Sequence, residues 1–145
     1  MPLAYFDSSA LVKLLIDEPG SALVEEVWDG CDAPCASRLA YPEVRAALAA
    51  AARNGTISSR QLTHAKQSWG LYWPAVRPVE LSGAVELVAG QMAETHRLRG
   101  ADAVHLSSAL ALEDPDLLLV AWDRRLREGA FAVGLTVAPH SIGEH

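Results

Sequence analysis

Four acidic residues in this chain have the side-chain type and the setting needed to bind a divalent metal ion. Each lies after an apolar run, after a turn-forming glycine, or inside an otherwise apolar helix. The four are Asp7, Glu43, Asp102 and Asp123. Carboxylate oxygens are the ligands that Mg²⁺ prefers, and bound Mg²⁺ neutralises a phosphate and activates water. The set therefore predicts hydrolysis of a phosphodiester, which is nuclease chemistry, with all four residues as catalytic metal ligands.

Each acid also has a purely structural interpretation. The three aspartates precede predicted helices, where aspartate is a common N-cap. Glu43 lies among Ala, Leu and Val residues, and burial there requires a cationic partner such as Arg38 or Arg45. Ser9 either bonds Asp7 or a metal-bound water, or only caps a helix. The occurrence of all four acids at such positions favours the metal site.

Other chemistries lack their residues. The sequence contains no P-loop, no Gly-x-Gly-x-x-Gly segment and no serine nucleophile elbow. Cys31 and Cys35 are the only cysteines, and two thiols do not complete a structural zinc site, so we expect both to be reduced. His105 lies one turn after Asp102, but no acid is evident to pair with it, so we expect local packing. Basic residues near the acids could contact phosphates: Lys13, Arg38, Arg45, Arg99, Arg124 and Arg125.

The elements that position these residues alternate between strand and helix. The apolar run before Asp123 is continuous, as in a strand buried on both faces. Strands are predicted at Leu3–Phe6, Ala33–Ala36, Val76–Leu81, Leu117–Ala121 and Gly134–Ala138. Capping and helix-breaking residues predict the helices between them. The helices are expected at 11–15, 21–28, 37–53 (with Pro42 as the first regular residue), 58–72, 82–98, 100–113 and 124–131.

This alternation predicts an α/β fold, a single-domain α/β/α sandwich with a parallel sheet of four to five strands. The length suits one domain over residues 1–145. In such sheets ligands bind beyond the carboxyl ends of the strands. Asp7 and Asp123 should therefore meet at one edge of the sheet.

Composition limits the location and the class of partner. Half of the residues are hydrophobic and the net charge is −6, which argues against a protein that coats DNA but not against a nuclease. The longest apolar run, Leu117 to Trp122, is far shorter than the ~20 residues of a membrane span. The N-terminal residues lack the pattern of a signal peptide. We therefore expect a cytoplasmic protein with no membrane association.

Four segments together resemble the PIN-domain nucleases, and within them the VapC-type toxins of VapBC toxin–antitoxin pairs. Residues 5–13, Tyr-Phe-Asp-Ser-Ser-Ala-Leu-Val-Lys, resemble the first strand of that family, with its first aspartate and the serine two places on. Pro42-Glu43-Val44 is similar to the segment that carries the family's helical glutamate. Residues 100–106 and 121–126 resemble the third and fourth acidic segments. The match covers nearly the whole chain.

The resemblance implies a PIN-like fold and an endoribonuclease that uses Mg²⁺ or Mn²⁺. Metal-activated water would attack the phosphodiester of a structured RNA such as transfer RNA or ribosomal RNA. The resemblance also implies a homodimer that is silenced by a cognate VapB-type antitoxin. Many relatives carry Ser or Thr two residues before the last aspartate, where this chain has Ala121. That departure implies that Asp123 contributes less to metal binding than the other three acids. It also leaves open whether the site holds one metal ion or two.

Two other functions remain open on the sequence. A metal-dependent phosphomonoesterase on a similar sheet would need a second acid two residues after the first, where this chain has Ser9. A non-catalytic PIN-like domain that only binds RNA or a protein partner would not need the acidic set, which is intact here.

Overall fold

The sheet is parallel throughout, as the alternation of strands and helices predicts. The structure is a computed structural model that describes residues 2–142; residue 1 and residues 143–145 of the predicted domain lie outside the described part. Within residues 2–142, five strands form one sheet in the order β3-β2-β1-β4-β5. They are β1 (Ala4–Phe6), β2 (Pro34–Ser37), β3 (Arg77–Val79), β4 (Leu118–Val120) and β5 (Thr136–Ala138). Each overlaps its predicted range.

The register of the two central strands fixes the level at which their carboxyl ends emerge. Tyr5 of β1 pairs with Leu119 of β4, and Phe6 pairs with Val120. Because both strands run in the same direction, Asp7 leaves β1 at the level where the chain leaves β4. The predicted meeting of Asp7 with the segment after β4 follows from this pairing.

Helices cover both faces of the sheet. Alternate strand residues face opposite sides, so Phe6 and Val120 join one core cluster while Tyr5 and Leu119 join the other. The helices are α1 (Ser8–Val12), α2 (Ser21–Gly30), α3 (Ala40–Arg53), α4 (Ser59–Tyr72), α5 (Gly83–His96), α6 (Gly100–Ala111) and α7 (Arg124–Ala132), with a 3₁₀ turn at Trp73–Ala75. Helices α1 to α4 pack on the Phe6 face and α5 to α7 on the Tyr5 face, which makes the predicted α/β/α sandwich.

None of the helices within residues 2–142 combines the length and apolar character needed to cross a bilayer. Both cysteines are free, with Cys35 buried in β2 and Cys31 partly buried. Trp69 is buried in the core, where its ring packs against those of Tyr41 and Trp73.

Two predicted helix boundaries were wrong. Helix α3 begins at Ala40 and not at Pro42; a proline is tolerated in a first turn because backbone N–H groups there have no intrahelical acceptor. Helix α1 ends at Val12, and the residues to Ile16 form turns that bond back to Leu11 and Val12. The α1 helix is thus a short platform immediately after Asp7.

Candidate active site

Asp7 is held at the carboxyl end of β1 by bonds from its own helix. Its Oδ1 accepts the backbone N–H of Ala10 at 2.9 Å and the hydroxyl of Ser9 at 2.7 Å. Its backbone N–H donates to the carbonyl of Val120, the last residue of β4, at 3.1 Å. The N-cap interpretation and the predicted Ser9 contact are therefore both correct, and both bonds go to Oδ1, not Oδ2.

The environment of Asp7 disfavours its charge. The residue is 4% exposed, and burial raises the pKa of Asp7 from 3.8 to about 6. The negative charge of Asp123 acts in the same direction. A buried carboxylate with a raised pKa beside another acid is common at functional sites, because such a site gains most from a bound cation.

Asp123 follows β4 and caps α7. Its Oδ1 accepts the backbone N–H of Leu126 at 2.9 Å, and its Oδ2 accepts Nη2 of Arg99 at 3.1 Å. Gly20 allows the preceding residue to pack closely: its φ of 97° is left-handed, and a Cβ there would lie 2.5 Å from Cζ2 of Trp122. The turn that carries Asp123 is thereby packed against the start of α2.

Asp102 does not cap a helix, so that structural interpretation was wrong. Arg99 is the N-cap residue of α6, and Asp102 is the third residue of the helix, in its first turn. Its Oδ2 accepts Nε of Arg99 at 3.1 Å. Arg99 therefore bridges Asp102 and Asp123, and the sequence names it only among several basic candidates.

Glu43 lies in the first turn of α3 and pairs with neither of the cations that the sequence offered. Arg38 bonds Glu80, and Arg45 bonds the hydroxyl of Tyr41. Glu43 Oε1 instead accepts two donors from other elements, Ser8 Oγ at 2.6 Å and His105 Nε2 at 2.7 Å.

Those two bonds control the charge of Glu43. Partial burial would raise the pKa of Glu43, but the hydrogen bonds from His105 and Ser8 outweigh it and hold the pKa below its usual value. Glu43 is thus ionised at neutral pH. The expectation that His105 lacks an acidic partner was wrong; its position three residues after Asp102, on the same side of α6, was the available signal.

Two further residues support the site without a clear sequence signal. Arg127 of α7 is buried, and its guanidinium donates to the carbonyls of Ala121 at 2.9 Å and Pro139 at 2.7 Å. Tyr5 is buried beneath the site, and its hydroxyl contacts Nδ1 of His105 at 2.8 Å. Ala121 is fully buried, and its carbonyl accepts the hydrogen bond from Nη1 of Arg127.

The four acids lie along one edge of the sheet, and three of them belong to two bonded groups that both involve α6; Asp7 bonds only Ser9 and Ala10. Arg99 links Asp102 with Asp123, and His105 contacts Glu43. As they stand, no three Asp, Glu, His or Cys side chains within residues 2–142 come close enough together to hold a metal ion.

The donor chemistry nevertheless fits a hard divalent cation. The ligands on offer are carboxylate and hydroxyl oxygens, which Mg²⁺ and Mn²⁺ accept. Asp7 receives hydrogen bonds from neutral donors only, so its buried charge gains from a cation. Arg99 already places a positive group between two of the acids. Asp7, Glu43, Asp102 and Asp123 are the residues that would hold the ion, supported by Ser9.

Comparison with known proteins identifies the family of the chain. A family model described as "PIN domain" matches residues 4–132. The chain belongs to the PIN-domain family. Within that family it is 60% identical, over 142 residues, to Ribonuclease VapC45 and Ribonuclease VapC49 of Mycobacterium tuberculosis. Each alignment covers 98% of this chain and 99% of the relative.

Solved structures show the same PIN-domain fold at low sequence identity. VapC20 of Mycobacterium tuberculosis, described as a sarcin-ricin loop cleaving toxin, superposes with a TM-score of 0.66 at 15% identity, covering 92% of this chain and 96% of that one. VapBC2 of Rickettsia felis, solved with a DNA fragment from its promoter, gives a TM-score of 0.63 at 12% identity, covering 93% and 96%.

Proposed function

We propose that this PIN-domain protein is a Mg²⁺-dependent endoribonuclease that acts as the toxin of a type II toxin–antitoxin system and cleaves structured RNA. The observation that carries the proposal is the position of Asp7 and Asp123 at the carboxyl ends of the adjacent strands β1 and β4, with Asp102 and Glu43 at the same edge. The two curated relatives, which are named ribonucleases, support this interpretation.

Each acid has a defined part in the proposed reaction. Asp7, Glu43, Asp102 and Asp123 would hold the cation, and a bound cation would supply charge neutralisation at the scissile phosphate and an activated water. Ser9 and the N–H of Ala10 fix Asp7 through Oδ1. The side chain of Arg99 is 69% exposed and lies at the rim of the acidic edge, from which its guanidinium can contact a phosphate of the bound RNA.

The substrate and partners belong to the same proposal. VapC20 is described as cleaving the sarcin-ricin loop, which supports ribosomal or transfer RNA as the class of substrate here. The Rickettsia structure contains a toxin with its antitoxin, which supports a VapB-type antitoxin as partner. We also propose that the protein forms a homodimer and is located in the cytoplasm. Light scattering of the purified chain, alone and with the product of a neighbouring short reading frame, tests the assembly.

The activity is tested by incubating purified protein with total cellular RNA in Mg²⁺ or in EDTA, and sequencing the new ends. The proposal predicts cleavage at a few sites, only in Mg²⁺, with 5′-phosphate and 3′-hydroxyl products, because solvent water is the nucleophile. Asp7→Asn should abolish cleavage. Asp29→Asn, which neutralises an exposed acid of α2, should cleave like the wild type and serves as the matched control.

Three outcomes would contradict the proposal. Products with 2′,3′-cyclic phosphates would mean that the ribose hydroxyl, and not water, attacks. Binding of RNA without cleavage would favour the non-catalytic PIN-like domain. Hydrolysis of a phosphate monoester such as p-nitrophenyl phosphate, with RNA left intact, would favour the phosphomonoesterase.

A further inference from the structure

A buried chain of hydrogen bonds runs from the backbone of β2 to the carboxylate of Glu43. The N–H of Ser37 contacts the hydroxyl of Tyr5 at 3.1 Å, and that hydroxyl contacts Nδ1 of His105 at 2.8 Å. On the other side of the ring, Nε2 of His105 contacts Oε1 of Glu43 at 2.7 Å. Tyr5 and His105 are 0% and 3% exposed, so water does not replace these contacts.

The direction of each hydrogen bond follows from the groups involved. A backbone N–H only donates, so Tyr5 accepts from Ser37 and its own proton is available for Nδ1 of His105. The Tyr5 hydroxyl is fully buried and carries a proton, so it can donate one hydrogen bond while it accepts another. With Nδ1 as an acceptor, the neutral ring carries its proton on Nε2 and donates it to Glu43.

The consequence for Glu43 is a fixed orientation. Ser8 and His105 both donate to Oε1, at 2.6 and 2.7 Å, and neither donates to Oε2. A glutamate side chain has three rotatable torsions, and ordering it costs free energy unless such bonds hold it. With Oε1 held from α1 and α6, Oε2 is the oxygen that these two bonds leave available to a cation.

The chain of bonds also begins and ends in the same segment of the protein. Ser37 ends β2 and Glu43 lies in the first turn of α3, while Tyr5 and His105 belong to β1 and α6. The Tyr5–His105 pair therefore links the segment between β2 and α3 to the central strand β1 through hydrogen bonds. Displacement of either ring would move Glu43 relative to Asp7 and Asp102.

We infer that His105, oriented by Tyr5, is a positioning residue that presents Oε2 of Glu43 to a divalent cation and thereby sets the affinity of the site for that cation. The inference rests on the proposed function, since it assigns a support to one of the proposed metal ligands. Partners that orient metal ligands typically change metal affinity or activity by about 10- to 100-fold when they are removed.

The test measures Mn²⁺ affinity without any RNA. The melting temperature of the purified protein is followed as Mn²⁺ is added. The apparent Kd is obtained by fitting the stabilisation at each concentration to RT ln(1 + [Mn²⁺]/Kd). His105→Phe keeps a ring but removes both nitrogens, and it should raise the apparent Kd about 10- to 100-fold. His105→Gln retains an amide that can donate to Glu43, and it should restore part of the loss. Tyr5→Phe should weaken binding in the same direction.

A matched control separates positioning from general loss of stability. Ser107 lies two residues from His105 on α6, is also buried, and donates to the carbonyl of Val85 at 2.7 Å. Ser107→Ala should lower the melting temperature without changing the apparent Kd for Mn²⁺. A second measurement needs no variant: ¹⁵N NMR of the metal-free wild type should show His105 Nε2 protonated and Nδ1 unprotonated.

The outcomes distinguish this inference from the proposed function. A wild type whose melting temperature does not respond to Mn²⁺ would overturn both. A wild type that responds, together with His105→Phe and Tyr5→Phe variants of unchanged apparent Kd, would overturn the inference alone. If His105→Phe does not fold, the Tyr5→Phe variant and the NMR measurement test the inference instead. A metal-free His105 ring protonated on Nδ1 and not on Nε2 would overturn it.

Discussion

The guanidinium of Arg99 bonds the carboxylate of Asp123 across the candidate site, with Nη2 and Oδ2 3.1 Å apart. The same guanidinium bonds Asp102 through Nε, so one exposed cation neutralises two acids from different helices. A divalent ion held by those acids would compete with Arg99 for the same oxygens. Arg99 therefore connects the stability of the metal-free protein with its affinity for metal.

Replacing Arg99 with Gln should make the protein depend more strongly on added metal. Without metal, Asp102 and Asp123 lose their shared cation. Because surface ion pairs contribute at most about 1 kcal/mol each, the loss of both pairs should lower the melting temperature by no more than about 4–8 °C. The rise caused by saturating Mg²⁺ should be larger than in the wild type, because no internal cation competes.

The control for this comparison is Arg124→Gln, which removes another exposed arginine that pairs with Glu128 on α7. Its response to Mg²⁺ should equal that of the wild type. A smaller Mg²⁺ response in Arg99→Gln than in the wild type would show that Arg99 assists metal binding and does not compete with it.

Asp7 should make the metal-free protein less stable as the pH rises. Burial raises the pKa of Asp7 from 3.8 to about 6, so the folded chain binds this proton more tightly than the unfolded chain. The stabilisation is therefore fully present below about pH 4 and is lost as the pH rises through about 6, a change of up to about 3 kcal/mol. Urea unfolding in EDTA between pH 4 and pH 8 measures it.

The Asp7→Asn variant isolates this effect because an amide does not ionise and can still accept the N–H of Ala10. Between pH 4 and pH 8 its unfolding free energy should lack the decrease that Asp7 causes, while Asp29→Asn should retain it. Identical pH profiles for Asp7→Asn and the wild type would mean that Asp7 ionises as easily in the folded protein as in the unfolded one.

Arg127 should be required for stability rather than for contact with RNA. Burial lowers the pKa of Arg127, and its guanidinium bonds the carbonyls of Ala121 and Pro139 at the ends of β4 and β5. Arg127→Met would leave both carbonyls unpaired, at a cost of about 2–4 kcal/mol in the free energy of unfolding. Urea denaturation checks this, with Arg124→Met as an exposed control that should change by less than about 0.5 kcal/mol. Equal losses in the two variants would contradict a structural role for Arg127.

The sequence predicted those features that depend on local pattern. The continuous apolar run before Asp123 identified a buried parallel strand, and the strand-end rule placed Asp7 and Asp123 at one edge, as the register of β1 and β4 confirms. Family resemblance pointed to Glu43 and Asp102, and the family match confirms the resemblance. Their roles as metal ligands stay predictions.

The partners of those acids were not predictable in the same way. Tyr5 and His105 are 100 residues apart in sequence, and their contact depends on how α6 packs against the sheet. The sequence offered two nearby arginines, Arg38 and Arg45, as partners of Glu43. Its actual hydrogen-bond donors, Ser8 and His105, come from α1 and α6. Short-range spacing indicates which residues share a helix face, but not which residues of distant elements meet.

Diffraction from crystals grown with Mn²⁺, recorded where manganese scatters anomalously, tests the central claim most directly. We expect an anomalous peak bounded by Asp7, Glu43, Asp102 and Asp123, with Arg99 no longer bonded to both Asp102 and Asp123. An ion bound only at other residues, or no peak at these acids in a preparation that cleaves RNA in Mn²⁺, would contradict it.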